Sequence, residues 1–214
     1  PNDPFWIDSD RIKPISIELG PQMITNPKWP DPSTKSVKLS AVQNNSEIAL
    51  LLEWDDATLE NKIEVSATHT DQAAIMFPLS PDKEVPLITM GSENEIVNIW
   101  QWRAIWEKSL NTKPRSSDRN LKMSAFGNDR RSSVEDLTAA GYSTLTTQEE
   151  QDVLGRGTWR DKTWRVVFKR SLVNSDNADI QFKYPIAMAI AVWNGGNGER
   201  NGQKGISNWI LLRL

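Results

Sequence analysis

Alternation of apolar and polar residues is the first regular pattern in the chain, and it predicts a β-hairpin. Val37, Leu39 and Ala41 alternate with polar residues, and a largely apolar run follows at residues 48–54. A period of two places every second side chain on the same face of a strand. The sequence Asn44-Asn45-Ser46 between the two runs is typical of a tight turn.

Similar runs predict further strands along the rest of the chain. They lie at residues 71–77, 97–106, 163–170, 186–193 and 206–214. Trp100 and Trp102 are two positions apart, so they share one face of their strand. The 186–193 run is continuously apolar, which is typical of a strand buried on both faces. Many short strands of this kind indicate a mainly β protein, a single-domain β-sandwich.

Two segments depart from this pattern. Residues 1–35 are rich in proline, which fixes φ and lacks a backbone donor, so we expect an extended arm there. We place the sandwich domain at residues 36–214, with a long polar insertion at about 107–157. Within the insertion, Ser133–Ala140 is predicted to form a short helix. The insertion also carries basic residues: Lys108, Lys113, Arg115, Arg119, Lys122, Arg130 and Arg131.

The composition excludes several classes of protein. The chain has 214 residues, enough to bury a substantial core, and its 25 basic and 28 acidic residues give a net charge of −3. Proteins that bind nucleic acid usually have a basic excess, and no apolar run approaches the ~20 residues that span a bilayer. The absence of cysteine excludes disulfides, iron–sulfur ligation and covalent c-type haem attachment. The single histidine excludes a histidine-rich metal site.

Two side chains stand out as candidate ligands. Met90 lies beside Gly91 in a loop, which is a less usual place than the core for a methionine, and its thioether is a soft ligand. His69 lies in a polar loop, where a lone histidine is most often a surface residue, but it could ligate iron. The ten tryptophans leave another class open, a carbohydrate-binding β-sandwich that stacks sugars on exposed indoles. A two-carboxylate hydrolase is the weakest alternative, because the sequence places no pair of acids together.

Several sequence blocks, taken in order, resemble one known family. They are Leu52-Glu-Trp-Asp-Asp56, Asp71-Gln-Ala-Ala-Ile-Met-Phe-Pro78, Met90-Gly91 followed by Trp100-Gln-Trp102, and Val192-Trp-Asn-Gly195 with Gly198-Glu-Arg-Asn-Gly-Gln-Lys204 and Ser207-Asn-Trp209. Together these blocks resemble the haem b-binding gamma subunits of the type II dimethyl sulfoxide reductase family, which includes the gamma subunit of ethylbenzene dehydrogenase. The resemblance covers most of residues 36–214, and it is the ordered set, not any single block, that is specific.

The resemblance implies a β-sandwich that holds one non-covalent haem b between axial methionine and lysine ligands. The methionine is best matched by Met90 and the lysine by Lys204. Lys183 is the second choice for the lysine, and His69 stays open as an alternative iron ligand. A ligating lysine must be neutral, and burial lowers its pKa.

A haem also requires an apolar lining and cations or hydrogen-bond donors for its propionates. We assign Trp100 and Trp102 to the haem-binding set, and other large apolar residues could extend the lining: Phe77, Phe168 and Met188. Arg103 is a haem-binding candidate through the propionates. Arg165 and the basic residues of the insertion are further candidates for the same role.

The resemblance finally implies a role within a complex. The chain is expected to be a non-catalytic electron-transfer subunit of a periplasmic molybdenum oxidoreductase. It would pass electrons between an iron–sulfur beta subunit and a soluble cytochrome, in a heterotrimer with a molybdenum-containing alpha subunit. We expect no nucleic-acid partner and no membrane span. The sequence begins at Pro1 without an initiator methionine or leader, which is consistent with a processed, mature periplasmic form.

Overall fold

A computed structural model describes residues 1–7, 12–65, 67–80, 84–111, 131–183 and 185–213. These residues form two antiparallel β-sheets that enclose a common core, which confirms the predicted mainly β sandwich. Much of the basic part of the predicted insertion lies outside the described residues, namely Lys113, Arg115, Arg119, Lys122 and Arg130.

The first sheet has five strands. They are β1 (Ile15–Glu18), β2 (Ser36–Gln43), β3 (Glu47–Asp55), β8 (Leu154–Arg160) and β9 (Thr163–Ser171), in the order β1-β2-β3-β9-β8. Strands β2 and β3 pair with Leu39 opposite Leu52, which confirms the predicted hairpin. Strand β1 comes from the predicted arm and extends the sheet by pairing with β2.

The second sheet has seven strands. They are β4 (Gln72–Pro78), β5 (Val97–Arg103), β6 (Val134–Ala139), β7 (Thr146–Thr147), β10 (Ile186–Trp193), β11 (Gly205–Ile206) and β12 (Ile210–Leu212). The order is β11-β10-β4-β5-β6-β7, and β12 also pairs with β10. The helices are α1 (Ile105–Asn111) and two short 3-10 turns, Pro4–Ile7 and Gly195–Asn197. In the described part of the chain, none of the helices has the length and apolar character needed to cross a membrane.

The inner faces of the two sheets bury the hydrophobic core. Leu50 and Phe168 from the first sheet belong to the same cluster as Phe77, Trp100 and Trp102 from the second, and all five side chains are fully buried. Buried indole N–H groups need acceptors. Trp100 Nε1 donates to Asn98 Oδ1 at 3.1 Å, and Trp102 Nε1 donates to Glu107 Oε1 at 2.7 Å. The inner face is therefore closely packed and these two indole N–H groups are satisfied, whereas Trp54 Nε1 is buried there without a hydrogen-bond partner among the described residues.

The second sheet also carries apolar residues on its outer face. These residues form a second cluster: Ala74, Met76, Val97, Ile99, Leu137, Ala139, Ala189, Ala191 and Trp193. Strand β10 is consequently buried along nearly its whole length, which confirms the prediction that it is covered on both faces. The outer cluster is covered by loops and not by a third sheet, since the residues that pack against it are Ile88, Met90 and Trp209.

The predicted helix at Ser133–Ala140 is wrong, because Val134–Ala139 is strand β6. Its residues pair in register with β5, with Trp100 opposite Asp136. Val134 faces the core, whereas Leu137 and Ala139 belong to the outer cluster. Pairing with a buried neighbouring strand overrides a weak local preference for helix. The polar region around it therefore contributes to the sandwich.

Two predicted strands have different ends in the structure. The 97–106 run stops at Arg103, and Ile105 opens α1. The run at 206–214 is divided into β11 and β12, whose registers with β10 differ by one residue. Ser207 lies at the break, where its hydroxyl accepts the Ile190 N–H at 2.9 Å. One extra residue on one strand of a pair is a β-bulge.

Candidate functional site

A cavity of about 1070 Å³ lies over the outer face of the second sheet. Its floor comes from β4, β5 and β10. Its walls come from residues 18–25 of the arm, from the loop residues 88–90, and from parts of the segments 142–145 and 200–208. Cofactor pockets commonly enclose about 300–1,000 Å³, so this cavity is large enough for a large cofactor.

Small side chains make the floor of this cavity flat. Ala189 and Ala191 project from β10, and Ala74 projects from β4 beside Ala191. Large residues at the same positions would fill the space above the sheet, because alternate side chains of a strand stand on the same face. Three alanines on two neighbouring strands leave room for a broad, flat ligand.

The floor of the cavity is apolar at one end and polar at the other, as the residues that lie side by side on neighbouring strands show. At one end Ala189, Met76 and Ile99 lie side by side, and at the other end Gln72 pairs with Arg103. An arginine at one end of an apolar floor suits a ligand with an apolar body and an anionic edge.

Hydrogen bonds and ring contacts hold the polar end of the floor in place. Gln101 Nε2 donates to Gln72 Oε1 at 2.8 Å, and Arg103 Nη2 donates to Gln101 Oε1 at 3.1 Å. The guanidinium of Arg103 also lies 4.7 Å from the ring centroid of Trp106. The charged group therefore has a defined position at the edge of the cavity.

Met90 lines the cavity from an unusual backbone conformation. Its φ is +73°, and Gly91 follows with a φ of +79°. A residue other than glycine costs roughly 1–2 kcal/mol in this left-handed region, and such strain concentrates at functional sites. A Cβ on Gly91 would lie 2.3 Å from the Glu95 carbonyl oxygen, so glycine is required there. Gly141 N donates to the Met90 carbonyl at 2.8 Å, which fixes the loop that carries the thioether.

Lys204 lines the same cavity from a different loop. It is half-buried, and its Nζ lies 4.6 Å from the centroid of the Trp193 ring. Burial lowers the pKa of Lys204 to about 8. In the described part of the chain, Nζ has no hydrogen-bond or ion-pair partner. A neutral amine is therefore accessible at this position near neutral pH.

Buried Glu199 anchors the loop that presents Lys204. Its Oε1 accepts hydrogen bonds from Trp29 Nε1 at 3.0 Å and from Ser33 N at 2.8 Å. Its Oε2 accepts the Asn194 N–H at 2.9 Å. Because Trp29 and Ser33 belong to the arm, one carboxylate joins the arm to the chain segment before Lys204. The sequence pattern alone did not identify this supporting role.

The remaining ligand candidates lie in different environments. His69 lines the cavity, half-buried, and therefore stays an alternative ligand. Lys183 is exposed and does not line it. Arg165 is on the first sheet, where its Nε lies 3.2 Å from Glu53 Oε1, and it does not line the cavity either.

The tryptophans chosen from the sequence lie on the other side of the sheet from the cavity. Trp100 and Trp102 project from β5 into the sandwich core, whereas Ile99, Gln101 and Arg103 project from the same strand into the cavity. The other apolar candidates also lie in the sandwich core, namely Phe77, Phe168 and Met188. The structure thus brings Met90, Lys204, His69 and Arg103 to one cavity but does not bring Trp100 or Trp102 there.

Sequence reasoning missed the residues that form the floor. Ala74, Ala189 and Ala191 carry no distinctive chemistry, and their value lies in the space that they leave. A usable signal was present in the alternation itself. In β10, Ala187, Ala189 and Ala191 alternate with larger apolar residues, a pattern from which one shallow face could have been inferred.

The fold and the cavity define a class: a β-sandwich protein with a large cavity over the outer face of one sheet, lined by a thioether and an amine from separate loops. The sequence model of a family described as ethylbenzene dehydrogenase matches residues 3–205. The chain belongs to this family, which confirms the resemblance drawn from the ordered blocks.

Curated relatives are consistent with this assignment. The chain is 28% identical over 186 residues to a protein named as a respiratory nitrate reductase haem subunit from Haloferax mediterranei, covering 86% of this chain and 57% of that one. It is 28% identical over 185 residues to the chlorate reductase gamma subunit of Ideonella dechloratans, covering 85% and 66% respectively. The dimethylsulfide dehydrogenase gamma subunit of Rhodovulum sulfidophilum is 25% identical over 230 residues, covering 100% and 76%. The chain thus spans 57% and 66% of the length of the first two relatives.

Two solved structures of a family 9 carbohydrate-binding module from Caldicellulosiruptor kristjanssonii are also similar. The cellotriose complex has a TM-score of 0.44 at 8% identity, covering 98% of this chain and 76% of that one. The glucose complex has a TM-score of 0.41 at 9% identity, covering 94% and 75%. Scores this low carry no argument about the ligand of this chain.

The sugar-stacking alternative predicts exposed tryptophans. All ten lie within the described residues, and each is buried or half-buried. The described surface therefore has no fully exposed indole on which a sugar ring could stack.

Proposed function

We propose that this chain binds one haem b non-covalently in the cavity and serves as a non-catalytic electron-transfer subunit of a molybdenum oxidoreductase complex. The observation that carries the proposal is that Met90 and Lys204, from two separate loops, line one large cavity with an apolar floor. Membership of the ethylbenzene dehydrogenase family and the printed names of the relatives support it.

The residues of the cavity suit a haem. The chain has no cysteine, so a haem would be held without covalent tethers. The alanine floor leaves room for a flat macrocycle, and Arg103 lies at the polar end, where propionates need a cation. Met90 and Lys204 would hold the iron, and His69 is the alternative in the same cavity. Arg165 is not part of this proposal, because it does not line the cavity.

The two ligands that we propose also determine the electronic character of the site. A thioether sulfur is a soft donor that favours reduced iron, so it raises the reduction potential. The lowered pKa of Lys204 makes the neutral amine available as an iron ligand. The protonated ammonium group could not serve, because it has no lone pair to donate. When bound, haem supplies one-electron transfer, while the chain orients it and excludes water from it.

We infer the partners from the same relatives. Two of them are named as gamma subunits of an oxidoreductase or dehydrogenase. An iron–sulfur beta subunit and a molybdenum-containing alpha subunit would form a heterotrimer with this chain, and a soluble cytochrome would exchange electrons with it. The periplasm is the compartment that we propose for the complex. Purification from the organism that encodes the chain should recover a molybdenum-containing chain and a cysteine-rich chain in equal amounts, and recovery of the chain alone would contradict the heterotrimer.

Visible absorption of the purified chain after haemin addition tests the cofactor. We expect a Soret band and low-spin bands for the unsubstituted chain. Met90→Leu keeps the apolar volume but removes the sulfur, and Lys204→Gln removes the amine, so each should abolish the low-spin spectrum. The matched controls are Met188→Leu, at a methionine of the sandwich core that does not line the cavity, and Lys183→Gln, at an exposed lysine that does not line it either.

Two outcomes would contradict parts of this proposal. A folded chain that stays colourless with haemin would refute haem binding altogether. A low-spin spectrum that survives Lys204→Gln and is lost in His69→Ala would replace the lysine with the histidine.

A further inference from the structure

We propose that Asp136, Gln148, Asp152 and Asp179 form a structural calcium site, separate from the haem cavity. None of the four lines the cavity. One carboxylate oxygen from each aspartate can be chosen such that all three lie within 4.8 Å of one another. This spacing is comparable with that of oxygens around a single Ca²⁺ ion, whose Ca²⁺–oxygen distance is 2.3–2.6 Å, so one ion could be shared by all three.

The four residues come from three separate parts of the chain. Asp136 is on β6, Gln148 and Asp152 lie between β7 and β8, and Asp179 lies between β9 and β10. Gln151 fixes the second segment against the first, because its Nε2 donates to the Asp136 carbonyl at 2.9 Å and its Oε1 accepts the Asp136 N–H at 2.9 Å. A cation at this position would join three segments that are distant in sequence.

Each aspartate uses one carboxylate oxygen for hydrogen bonds and leaves the other without a partner. Asn98 Nδ2 donates to Asp136 Oδ1 at 2.6 Å. Asn174 Nδ2 donates to Asp152 Oδ2 at 2.9 Å and also to Asp179 Oδ2. The other oxygens, Asp136 Oδ2, Asp152 Oδ1 and Asp179 Oδ1, are buried and have no hydrogen-bond partner. Buried polar atoms without a partner call for a physical explanation, and a cation supplies one.

Gln148 gives evidence that does not depend on the acidic cluster. Its side chain is 8% exposed, and its Oε1 is buried without a partner. Its Nε2 donates to Asp136 Oδ1 at 3.0 Å and to the Ala178 carbonyl at 3.3 Å, so the amide lies between Asp136 and the residue before Asp179. The orphaned oxygen belongs to an amide that is hydrogen-bonded to Asp136, and a cation bound at the three carboxylates would give this oxygen a partner.

The formal charges at this site would be balanced by a divalent cation. Asp136 and Asp179 are 0% and 3% exposed, and Arg170 pairs with Asp179, with Nη1 3.1 Å from Asp179 Oδ2. Three carboxylates and one guanidinium leave a formal charge of −2, which a divalent ion neutralises. Burial, and next the negative charge of Asp179, raise the pKa of Asp136 to about 8. In the absence of an ion, a proton shared between Asp136 and Asp179 is the competing arrangement.

The donor set selects calcium among the common divalent ions. All four donors are oxygens, three from carboxylates and one from an amide, which suits a hard cation and not zinc or copper. Ca²⁺ accepts six to eight oxygens in irregular geometry, with water completing the shell, whereas Mg²⁺ requires a compact octahedron. We therefore expect Ca²⁺ to bind more tightly than Mg²⁺.

Thermal unfolding of the full chain, first stripped with a chelator, tests the site. Addition of Ca²⁺ to about 100 times its Kd should raise the Tm by about 5–10 °C, because the ion binds the folded chain alone. Asp152→Asn keeps the acceptor for Asn174 but removes a charge, so it should weaken Ca²⁺ binding at least tenfold by calorimetry. Glu150→Gln is the matched control, since it makes the same charge change at an exposed residue two positions away and should leave binding unaltered.

Several outcomes would overturn the proposal. They are a Tm that does not respond to Ca²⁺, an equal response to Mg²⁺, and an Asp152→Asn chain that binds Ca²⁺ as tightly as the unsubstituted chain. If the Tm does not respond to Ca²⁺, Asp136→Asn should stabilise the metal-free chain. That result would identify a proton shared between Asp136 and Asp179 as the explanation of the buried carboxylates. The measurement uses haem-free protein, so failure of the haem proposal would not affect it.

Discussion

The two faces of the second sheet show how one alternating pattern produces two different environments. On the inner face, Phe77, Trp100 and Trp102 fill the space between the sheets, and Trp100 and Trp102 donate their indole N–H groups to polar partners. On the outer face, Ala74 and Ala191 occupy neighbouring positions and leave a cavity above them. Both faces are apolar, but only the outer one has room for a ligand.

This difference shows that side-chain volume, more than hydrophobicity, separates the core from the cavity in this sheet. Protein interiors are packed about as densely as organic crystals, so the inner face has no space to spare. The outer face has loops above it and not a second sheet, and these loops carry Met90 and Lys204. Three predictions test this contrast, from the largest expected effect to the smallest.

Truncation of an inner tryptophan should have the largest effect on stability. Trp102→Ala is expected to lower the free energy of unfolding by about 3–5 kcal/mol, because it leaves a cavity and removes the donor to Glu107. Trp209→Ala is the control on the outer side, where the half-buried indole donates to the Pro86 carbonyl at 2.8 Å. Denaturant titration should show a clearly smaller loss for Trp209→Ala, and equal losses would contradict the contrast between the faces.

Enlargement of adjacent alanines on β4 should separate the two faces more directly. Ala73 points into the core, and Ala74 points into the cavity. Ala73→Leu should destabilise the chain by about 1–3 kcal/mol through overpacking. Ala74→Leu should change the free energy of unfolding of the haem-free chain by less than about 1 kcal/mol, since it extends into open space.

Haemin titration of the same pair completes this test. Ala74→Leu should weaken haem binding at least tenfold, because it raises the floor of the cavity. Ala73→Leu, measured under conditions in which it is folded, should bind haem with unchanged affinity. The opposite order of affinities would place the ligand somewhere other than on this floor.

Removal of a charge from the first sheet should have the smallest effect. Arg165 pairs with Glu53 at 3.2 Å, away from the cavity. Arg165→Ala should lower the free energy of unfolding by less than about 1 kcal/mol, because ion pairs near the surface contribute little. Haem affinity measured by titration should stay the same, and a marked loss would restore Arg165 as a propionate partner.

Much of the candidate site could be predicted from chemistry, but its lining could not. Met90 was identified because a thioether beside glycine in a loop is unusual, and Lys204 because of the ordered blocks around it. Trp100 and Trp102 were assigned to the haem because large aromatic residues can line a cofactor slot. They lie in the core instead, since a period of two fixes which residues share a face but not which face meets the ligand.

The sequence by itself determined the mainly β class and the strands of the strongly alternating or apolar runs, but not β1, β6, β7 or β8, because alternation and turn residues act over a few neighbouring positions. It also determined the absence of a covalent haem attachment, through the lack of cysteine. Only the tertiary structure decided that residues 134–139 are a strand and not a helix, since that choice depends on pairing with β5. That Met90 and Lys204 line one cavity, and that Asp136 lies near Asp179, was decided in the same way, because these arrangements bring together segments whose distance in space no local pattern encodes.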